Sequence, residues 1–339
     1  MFLVITILMA VFTFCGLFGG HFTPVKHTAL AMLVYILPIL VVGNVLTLLY
    51  WLVRRRWHWM AIPVVTLLCC IPYIGTIYQI GLFHSSDNSK PGLKIATYNV
   101  AAFGRETSGY KAEDILSEMI KHGVDVMCIQ EYFDHSGDRK NSDSYKDYFS
   151  YMQMGREDMV IYSRYPIEHS EVIDFGDTNN SGMWADINVR GKRIRVFNVH
   201  METTGFNRTM RKAGQLAGVG GNVEKNALLR AIYNNYTMGM IVRARQADLV
   251  AREIQNTHLP LVVCGDFNDV PYSYVYNTIL GDLVDGFKES GNGPMYTYTG
   301  KKPVRIDYIF HDESISGDAY YKLDHTSSDH YAVLMSLHF

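Results

Sequence analysis

The sequence has 339 residues, 48% of them hydrophobic, and its 31 Lys and Arg against 33 Asp and Glu give a formal net charge of −2. The charge is uneven, because the part after residue 91 holds 26 basic and 32 acidic residues, a net of −6. Proteins that bind nucleic acid mainly through its phosphate backbone are more often basic, so nucleic acid is possible but not favoured as a partner. The length allows two domains, and the composition changes sharply near residue 90.

Three uncharged stretches come first along the chain, at residues 1–20, 28–53 and 60–83. Each has about the 20 residues that a membrane-spanning helix needs. The first also suits a secretory signal, but it lacks a basic start and two further stretches follow it. We predict three transmembrane helices that form an anchor over residues 1–84, a linker at 85–91 and a separate domain over 92–339. The spans hold no charged residue that would mark an ion path.

The basic residues beside the spans predict the orientation in the membrane, because Lys and Arg are retained on the cytoplasmic side. Arg54, Arg55 and Arg56 lie between the second and third stretches, whereas the loop between the first and second holds only Lys26. We therefore expect the N-terminus in the cytoplasm. The part after the third span is then periplasmic or extracellular, in an inner or plasma membrane.

The remaining chain alternates short strand-like runs with a few helical ones. Strands are predicted at residues 93–100, 124–131, 148–152, 159–163, 171–175, 183–189, 193–200, 259–266, 305–310 and 331–339, and helices at 111–122, 241–255 and 272–280. This order predicts a layered α/β domain and lacks the repeated βαβ pattern of a purely parallel sheet. It contains no glycine-rich dinucleotide loop, no P-loop and no zinc-ligand spacing.

Polar motifs stand at or just beyond these strand-like runs: Thr97-Tyr98-Asn99-Val100, Ile129-Gln130-Glu131, Asn198-Val199-His200, Gly265-Asp266-Phe267-Asn268-Asp269, Arg305-Ile306-Asp307-Tyr308 and Ser328-Asp329-His330. Side chains alternate across a strand, so Asp266 and Asn268 are expected on one side if the strand continues through both. Together they would grip one phosphate. Taken alone, Asp-x-Asn after an apolar run also suits a helix-capping turn.

In this order, the motifs resemble those of the endonuclease/exonuclease/phosphatase superfamily, which includes deoxyribonucleases, apurinic endonucleases, neutral sphingomyelinases and inositol-polyphosphate 5-phosphatases. The resemblance covers about residues 92–339 and includes the run Tyr162-Ser163-Arg164-Tyr165-Pro166-Ile167. It implies a four-layer α/β sandwich, in which two packed mixed β-sheets are flanked by helices and the motif loops meet at one end.

The residue types suit metal-dependent cleavage of a phosphoester. Glu131 offers a hard oxygen ligand, which Mg²⁺ or Mn²⁺ prefers. The resemblance implies that Asn99 also touches the metal or a metal-bound water. It makes Asp329 a second carboxylate near the metal, or a partner of one of its ligands.

The other motif residues suit acid–base work and phosphate binding. Asp266 is the candidate base that activates water, or else the acid that protonates the leaving group, and Asn268 donates a hydrogen bond to a phosphate oxygen. The resemblance places His200 and His330 against the phosphate, and Asp307 is expected to orient one of them.

Weaker candidates are Arg164 and Arg305, since an arginine at a strand end is most often solvated or ion-paired. Arg164 is retained, with Asn268 and His200, as an expected substrate contact. Tyr162 and Glu202 are equally weak candidates for the site.

Substrate choice is less determined than reaction class. The predicted membrane anchor and the negative net charge of the domain favour a lipid-headgroup phosphodiester as the substrate. The alternatives are that the protein is a nuclease or a phosphomonoesterase of inositol or sugar phosphates. A binding module without activity is disfavoured because every motif residue is present. No obligate protein partner is inferred.

Two further features stay open. The basic, Gly- and Asn-rich segment 203–240 would bind a headgroup, close over the site, rest on the bilayer or pack as a helical hairpin. Cys128 and Cys264 are read as buried thiols, and a disulfide between them is not decided.

Overall fold

The computed structural model describes residues 1–81, 92–101, 112–132, 147–156, 158–176, 178–203, 225–300 and 303–339, so the predicted linker at 85–91 lies outside the described residues. The chain divides into two compact units. The first comprises Met1–Tyr73, Glu202–Asp248 and Tyr272–Thr278, and the second comprises Ile74–Met201, Leu249–Pro271 and Ile279–Phe339.

The first unit is helical. Its N-terminal elements are α1 (Phe2–Gly19), α2 (Pro24–Met32), a 3₁₀ turn (Leu33–Ile36), α3 (Leu37–Val53), α4 (Trp57–Cys69) and α5 (Ile71–Ile74). They form three stretches long and apolar enough to cross a membrane, Phe2–Gly19, Pro24–Val53 and Trp57–Ile74. The third ends nine residues before the predicted limit at 83, because the chain leaves the helix at Ile74 and forms a short strand at Tyr78–Gln79.

Close packing and buried hydrogen bonds hold these helices together. A side chain at Gly16 would place its Cβ 2.7 Å from Leu37 Cδ2, so the glycine lets α1 approach the second stretch. Asn44 Nδ2 donates to Thr13 Oγ1 at 2.8 Å, and Trp51 Nε1 donates to Thr6 Oγ1 at 2.9 Å. Small residues and interhelical hydrogen bonds are the contacts that associate helices in lipid.

Two later helices complete this part of the chain. Helix α7 covers Lys225–Gln255 and α8 covers Tyr274–Leu280. The sequence predicted a helix from residue 241 and left a helical hairpin as one alternative for the segment 203–240. The structure continues the helix through Gly239, and residues 225–248 belong to the first unit.

The second unit contains two six-stranded sheets. One has the order β10-β12-β9-β8-β7-β6, formed by β6 (Ile167–Ile173), β7 (Gly182–Val189), β8 (Lys192–His200), β9 (Leu261–Asp266), β10 (Val284–Asp285) and β12 (Asp307–His311). The other has the order β13-β14-β2-β3-β5-β4, formed by β2 (Gly92–Asn99), β3 (Val126–Gln130), β4 (Tyr151–Met154), β5 (Met159–Ser163), β13 (Ser316–Lys322) and β14 (Val333–His338). A separate pair joins β1 (Tyr78–Gln79) to β11 (Gly293–Pro294).

Each sheet is mixed, because β2 pairs with β3 and β8 pairs with β9 in parallel while the other pairings are antiparallel. The sheets share a buried apolar core that includes Ile95, Val196 and Val262. Helix α6 (Ala112–Lys121) packs through Leu116 on the other face of the second sheet, and α9 (Gly286–Ser290) follows β10. Two packed mixed sheets flanked by helices confirm the predicted fold class.

Some details differ from the sequence-based prediction. The strand predicted at 148–152 forms at Tyr151–Met154, because Phe149 is buried in the apolar cluster beside α6 instead of joining the sheet. Strand β13 was missed, since its half-buried residues and the bulge between Gly317 and Ala319 hide the alternation. Cys128 and Cys264 are buried free thiols.

Candidate active site

The two parallel strand pairs bring four motif residues to strand ends. In one sheet Asn99 ends β2 beside Gln130, the last residue of β3, and Glu131 follows it. In the other sheet His200 and Asp266 are paired at the ends of β8 and β9. Neighbouring parallel strands finish at the same edge of a sheet, so each pair delivers two polar side chains to one place.

Asn99 joins the two sheets at this edge. Its Nδ2 donates to Glu131 Oε1 and to Asp266 Oδ2, each at 3.0 Å. Asn99 is 1% exposed, whereas the side chain of Glu131 is 34% exposed. Glu131 also has a left-handed backbone, with φ +55°, which is uncommon for a non-glycine residue. The site therefore offers a partly open carboxylate beside a buried amide.

Asp266 and Asn268 meet by a different route from the one predicted. Strand β9 ends at Asp266, and Asn268 turns back with φ +51°. Asp266 Oδ1 accepts a hydrogen bond from the backbone N–H of Asn268 at 2.8 Å, and Asn268 Nδ2 donates to Met201 O at 2.8 Å. The turn, and not strand alternation, brings the two side chains together. It leaves the amide of Asn268 half-buried.

Burial raises the pKa of Asp266 to about 6, although the nearby charge of His330 opposes the rise. The side chain is 1% exposed. A carboxylate with a pKa near the working pH is a better proton acceptor than an ordinary aspartate. The electrostatics therefore favour Asp266 as a base.

His330 lies between two carboxylates. Its Nδ1 is 2.9 Å from Asp307 Oδ2, and its Nε2 is 3.6 Å from Asp266 Oδ2. Burial disfavours its charged form, but Asp307 and Asp266 outweigh burial and raise the pKa of His330 to about 10. The structure thus places Asp307 where the sequence predicted an orienting carboxylate, and the imidazole is cationic at neutral pH.

His200 has a partner that the sequence did not reveal. Asp158, just before β5, places Oδ2 2.6 Å from His200 Nδ1, and both side chains are 4% exposed. Asn180 Nδ2 lies 3.2 Å from the same nitrogen. Although burial opposes it, the hydrogen bond to Asp158 raises the pKa of His200 to about 9. Nothing in the sequence around Asp158 distinguishes it from other acids that precede strands.

Asp329 is exposed beside this cluster. Its backbone O accepts a hydrogen bond from the N–H of Thr299 at 2.7 Å, and its carboxylate adds to the charges that raise the pKa of His330. Ser328 Oγ donates to Asn99 O at 2.8 Å, which fixes the 328–330 segment against β2.

Arg164 is not brought to the cluster. It pairs with Asp125 at 2.7 Å, at the start of β3, whereas Glu131 follows the end of that strand. Five strand residues separate the two ends, a distance of about 17 Å. Arg164 therefore lies away from the cluster, and its contact with substrate stays a prediction.

The other weak candidates, Arg305, Tyr162 and Glu202, form hydrogen bonds with neighbouring protein groups. Arg305 is fully buried and forms two hydrogen bonds with Asp285 at 2.8 and 2.6 Å. Tyr162 is buried and donates to the hydroxyl of Tyr132 at 3.1 Å. Glu202 belongs to the first unit, where its backbone N–H donates to Gln246 Oε1 at 2.9 Å.

A family model described as "Endonuclease/Exonuclease/phosphatase family" matches residues 96–330, well over half of the chain. The chain belongs to this family. As a member, it is a phosphoric ester hydrolase. A second model, described as a domain of unknown function, matches residues 1–77. A search of curated protein sequences found no match.

Solved structures share the endonuclease/exonuclease/phosphatase fold. A family protein from Bacteroides vulgatus is 17% identical with a TM-score of 0.53, and the match covers 74% of this chain and 100% of that one. The human nocturnin catalytic domain with bound sulfate is 17% identical with a TM-score of 0.51, covering 74% and 94%. A mannosyl-6-phosphatase from Bacteroides thetaiotaomicron is 19% identical with a TM-score of 0.50, covering 73% and 100%. At these identities the likeness shows the fold alone.

Dependence on a divalent metal is typical of the endonuclease/exonuclease/phosphatase family, and the residues present fit one. Asp266, Asp307 and His330 have potential ligand atoms within 4.8 Å of one another. A metal-binding histidine must be neutral, however, and His330 faces a carboxylate with each ring nitrogen. The partly open Glu131 is the better match, because a carboxylate oxygen suits a hard cation. Asn99 turns its Nδ2 toward Glu131, while its Oδ1 accepts a hydrogen bond from the N–H of Ala101.

Proposed function

We propose that the protein is a membrane-anchored, divalent-metal-dependent phosphodiesterase that acts on lipid headgroups outside the cytoplasm. One observation carries this proposal: three helices long and apolar enough to cross a membrane precede a family hydrolase domain in one chain. Residues 75–91 lie between the last apolar helix and β2. The hydrolase domain is therefore joined to the proposed spans within one polypeptide.

The proposed reaction is attack of water on phosphorus. Asp266 takes the proton that water gives up as its oxygen bonds to phosphorus and the bond from phosphorus to the leaving-group oxygen breaks. The imidazolium groups of His200 and His330 face the charge that grows on the phosphate oxygens. Asn268 would donate a hydrogen bond to one of these oxygens in place of its 3.2 Å hydrogen bond to Asp266 Oδ2. Asp307 and Asp158 hold the two imidazoles in place.

Glu131, with the exposed Asp329, would hold Mg²⁺ or Mn²⁺, and Asn99 would hold the Glu131 carboxylate in place. When bound, the cation would supply Lewis-acid polarisation of a phosphoryl oxygen. Glu131 Oε1 also lies 3.7 Å from His200 Nε2, so the candidate ligand and one candidate phosphate-binding group are neighbours.

The topology belongs to the same proposal. Arg54, Arg55 and Arg56 follow α3 and would stay in the cytoplasm, which places the hydrolase in the periplasm or outside the cell. A reporter fused after Phe339 tests this. Activity of a reporter that works only in the cytoplasm would overturn the orientation.

The function is tested with full-length protein in detergent. Release of phosphate or headgroup is measured from anionic phospholipids, sphingolipids, DNA and small phosphomonoesters, with Mg²⁺ or with a chelator. We expect lipid turnover that the chelator abolishes and that Asp266→Asn lacks. Asp174→Asn, an exposed acid paired with Arg156, is the matched control and keeps activity.

Turnover of DNA alone would make the protein a tethered nuclease, and that activity should fall steeply with added salt. Turnover of phosphomonoesters alone would make it a phosphatase, the activity named for the Bacteroides thetaiotaomicron structure. Either result overturns the lipid-headgroup proposal.

A further inference from the structure

The helical bundle of the first unit has an aromatic rim beside Arg54–Arg56. Phe2 at the start of α1 stacks on Tyr50 near the end of α3, with ring centroids 4.0 Å apart. Trp51 and Trp59 approach to 6.3 Å across the same turn. Trp and Tyr concentrate where a membrane helix meets the headgroup layer, so this rim marks one membrane surface.

The opposite rim is built differently. Tyr35 lies just before α3, whose 17 residues span about 26 Å, so it marks the far end of the bundle from Arg54. Tyr236 of α7 packs edge-on against Tyr35 at 5.0 Å. Tyr272 packs edge-on against Tyr73, near the end of the third apolar stretch, at 5.5 Å. Half of this aromatic rim therefore comes from segments distant in sequence from the three apolar stretches.

Helix α7 has a side-chain stripe that continues past this rim. Leu229, Tyr233, Tyr236, Met240 and Arg243 follow one another at intervals of four and three residues, so they share one helix face. Towards the C-terminus the stripe is buried, with Met240 3% and Arg243 0% exposed. Arg243 donates to Tyr35 Oη at 3.4 Å. This part of the stripe packs on the second apolar stretch.

Towards the N-terminus the same stripe is uncovered. Leu229 is 55% exposed and Tyr233 is 53% exposed. Tyr233 lies one turn and Leu229 two turns before Tyr236, on the helix face that contacts Tyr35. Within residues 225–236, Ala227 and Asn234 on other faces of the helix are exposed small or polar residues, and Arg230 is an exposed cation. Beyond this segment, Met238 is exposed on the opposite face.

We propose that residues 225–236 of α7 lie in the headgroup layer of the membrane surface opposite Arg54–Arg56, with Leu229 and Tyr233 inserted between lipids. This rests on the proposed membrane insertion of the three apolar stretches. The partner is the bilayer because the exposed stripe is continuous with the face that already contacts a span at its aromatic rim. A helix with an apolar face and an exposed basic residue suits that layer.

The test uses full-length protein that carries the photoreactive residue benzoylphenylalanine at one position at a time. The proteins are reconstituted in vesicles of phosphatidylethanolamine and phosphatidylglycerol, irradiated, and analysed for covalent lipid adducts by mass spectrometry. The probe stands at Leu229 or at Tyr233. Ala227, about 160° from Leu229 around the helix, is the matched control on the other face. Leu46 of α3, which is 61% exposed, reports insertion of the spans.

We expect lipid adducts at Leu46, Leu229 and Tyr233 that exceed those at Ala227 several-fold. Adducts at Leu46 with only the Ala227 level at Leu229 and Tyr233 would overturn the inference and leave the membrane anchor intact. Crosslinks from Leu229 to a second copy of the chain in place of lipid would also overturn it. An absence of adducts at Leu46 would contradict membrane insertion itself, and with it both proposals.

Discussion

Asp158 and His200 connect the two sheets through a 2.6 Å contact between Oδ2 and Nδ1. Asp158 precedes β5 in one sheet, and His200 ends β8 in the other. Because Nδ1 is engaged with Asp158, Nε2 is the ring nitrogen that faces Glu131, at 3.7 Å. The contact therefore fixes which side of the imidazole is available for chemistry.

Replacing this carboxylate should lower the rate more than substrate binding. We expect Asp158→Asn to reduce kcat by about 100-fold with little change in KM, because His200 loses its orientation and its charge-stabilising partner. Steady-state kinetics on a soluble phosphodiester measure the effect, with Asp174→Asn as control. A variant with normal kcat would show that Asp158 has no part in catalysis.

Glu131→Gln should weaken metal binding. The carboxamide keeps the size of the side chain but removes the charge that a hard cation requires, so the Mg²⁺ concentration for half-maximal activity should rise on the order of tenfold or more. Titration of metal-stripped protein with Mg²⁺ measures this. Glu171→Gln, at an exposed position of β6, is the control. An unchanged Mg²⁺ requirement would remove Glu131 from the set of ligands.

The two arginines considered from the sequence should differ in their effect on stability. Arg305→Gln leaves Asp285 buried without its partner, which should cost about 3–5 kcal/mol of unfolding free energy. Arg164→Gln removes a pair whose arginine is 43% exposed, and it should cost at most about 1 kcal/mol. Thermal and denaturant unfolding of the full-length protein compare them. Equal losses would contradict the difference in burial.

His311 gives a stability that depends on pH. Burial opposes its charge, but Glu289, 2.8 Å from Nε2, and the carbonyl of Asp312 raise its pKa above the ordinary 6.5, and the charge of Asp285 adds to this. Because the pKa of His311 is higher in the folded than in the unfolded protein, protonated His311 stabilises the folded state, and this stabilisation is complete below pH 6.5. This stabilisation is lost as the pH rises through the folded-state pKa.

The difference in Tm between the wild type and His311→Gln should therefore be largest in acid and shrink above neutral pH. Tryptophan fluorescence during heating in detergent measures it. Glu289→Gln should flatten the dependence, and a difference in Tm that grows with pH would reverse the assigned sign.

The sequence predicted the strand ends that carry the site because apolar runs followed by polar motifs reflect local chemistry. Asn99, Glu131, His200, Asp266, Asp307 and His330 were placed at strand ends for that reason, and the structure brings them together. Their individual roles remain predictions. Asp158 was missed because its contact with His200 spans 42 residues of sequence and joins different sheets.

Other differences have physical causes that no local pattern records. Asn268 reaches Asp266 through a left-handed turn, which periodicity does not show. The preceding Gly265 has φ +142°, and a Cβ there would lie 1.9 Å from Val199 O, so only glycine allows β9 to approach β8 this closely. Arg164 lay in a family-like motif, yet the antiparallel direction of β5 carries it to the far end of the sheet.

Strand β14 lies between β13 and β2, so residues 333–338 complete a sheet whose other central strand begins at Gly92. A ribosome or translocation channel must release nearly 250 residues before these two strands can pair. Such distant pairing makes folding slow. His330 lies just before β14, so its position beside Asp266 depends on the same late pairing.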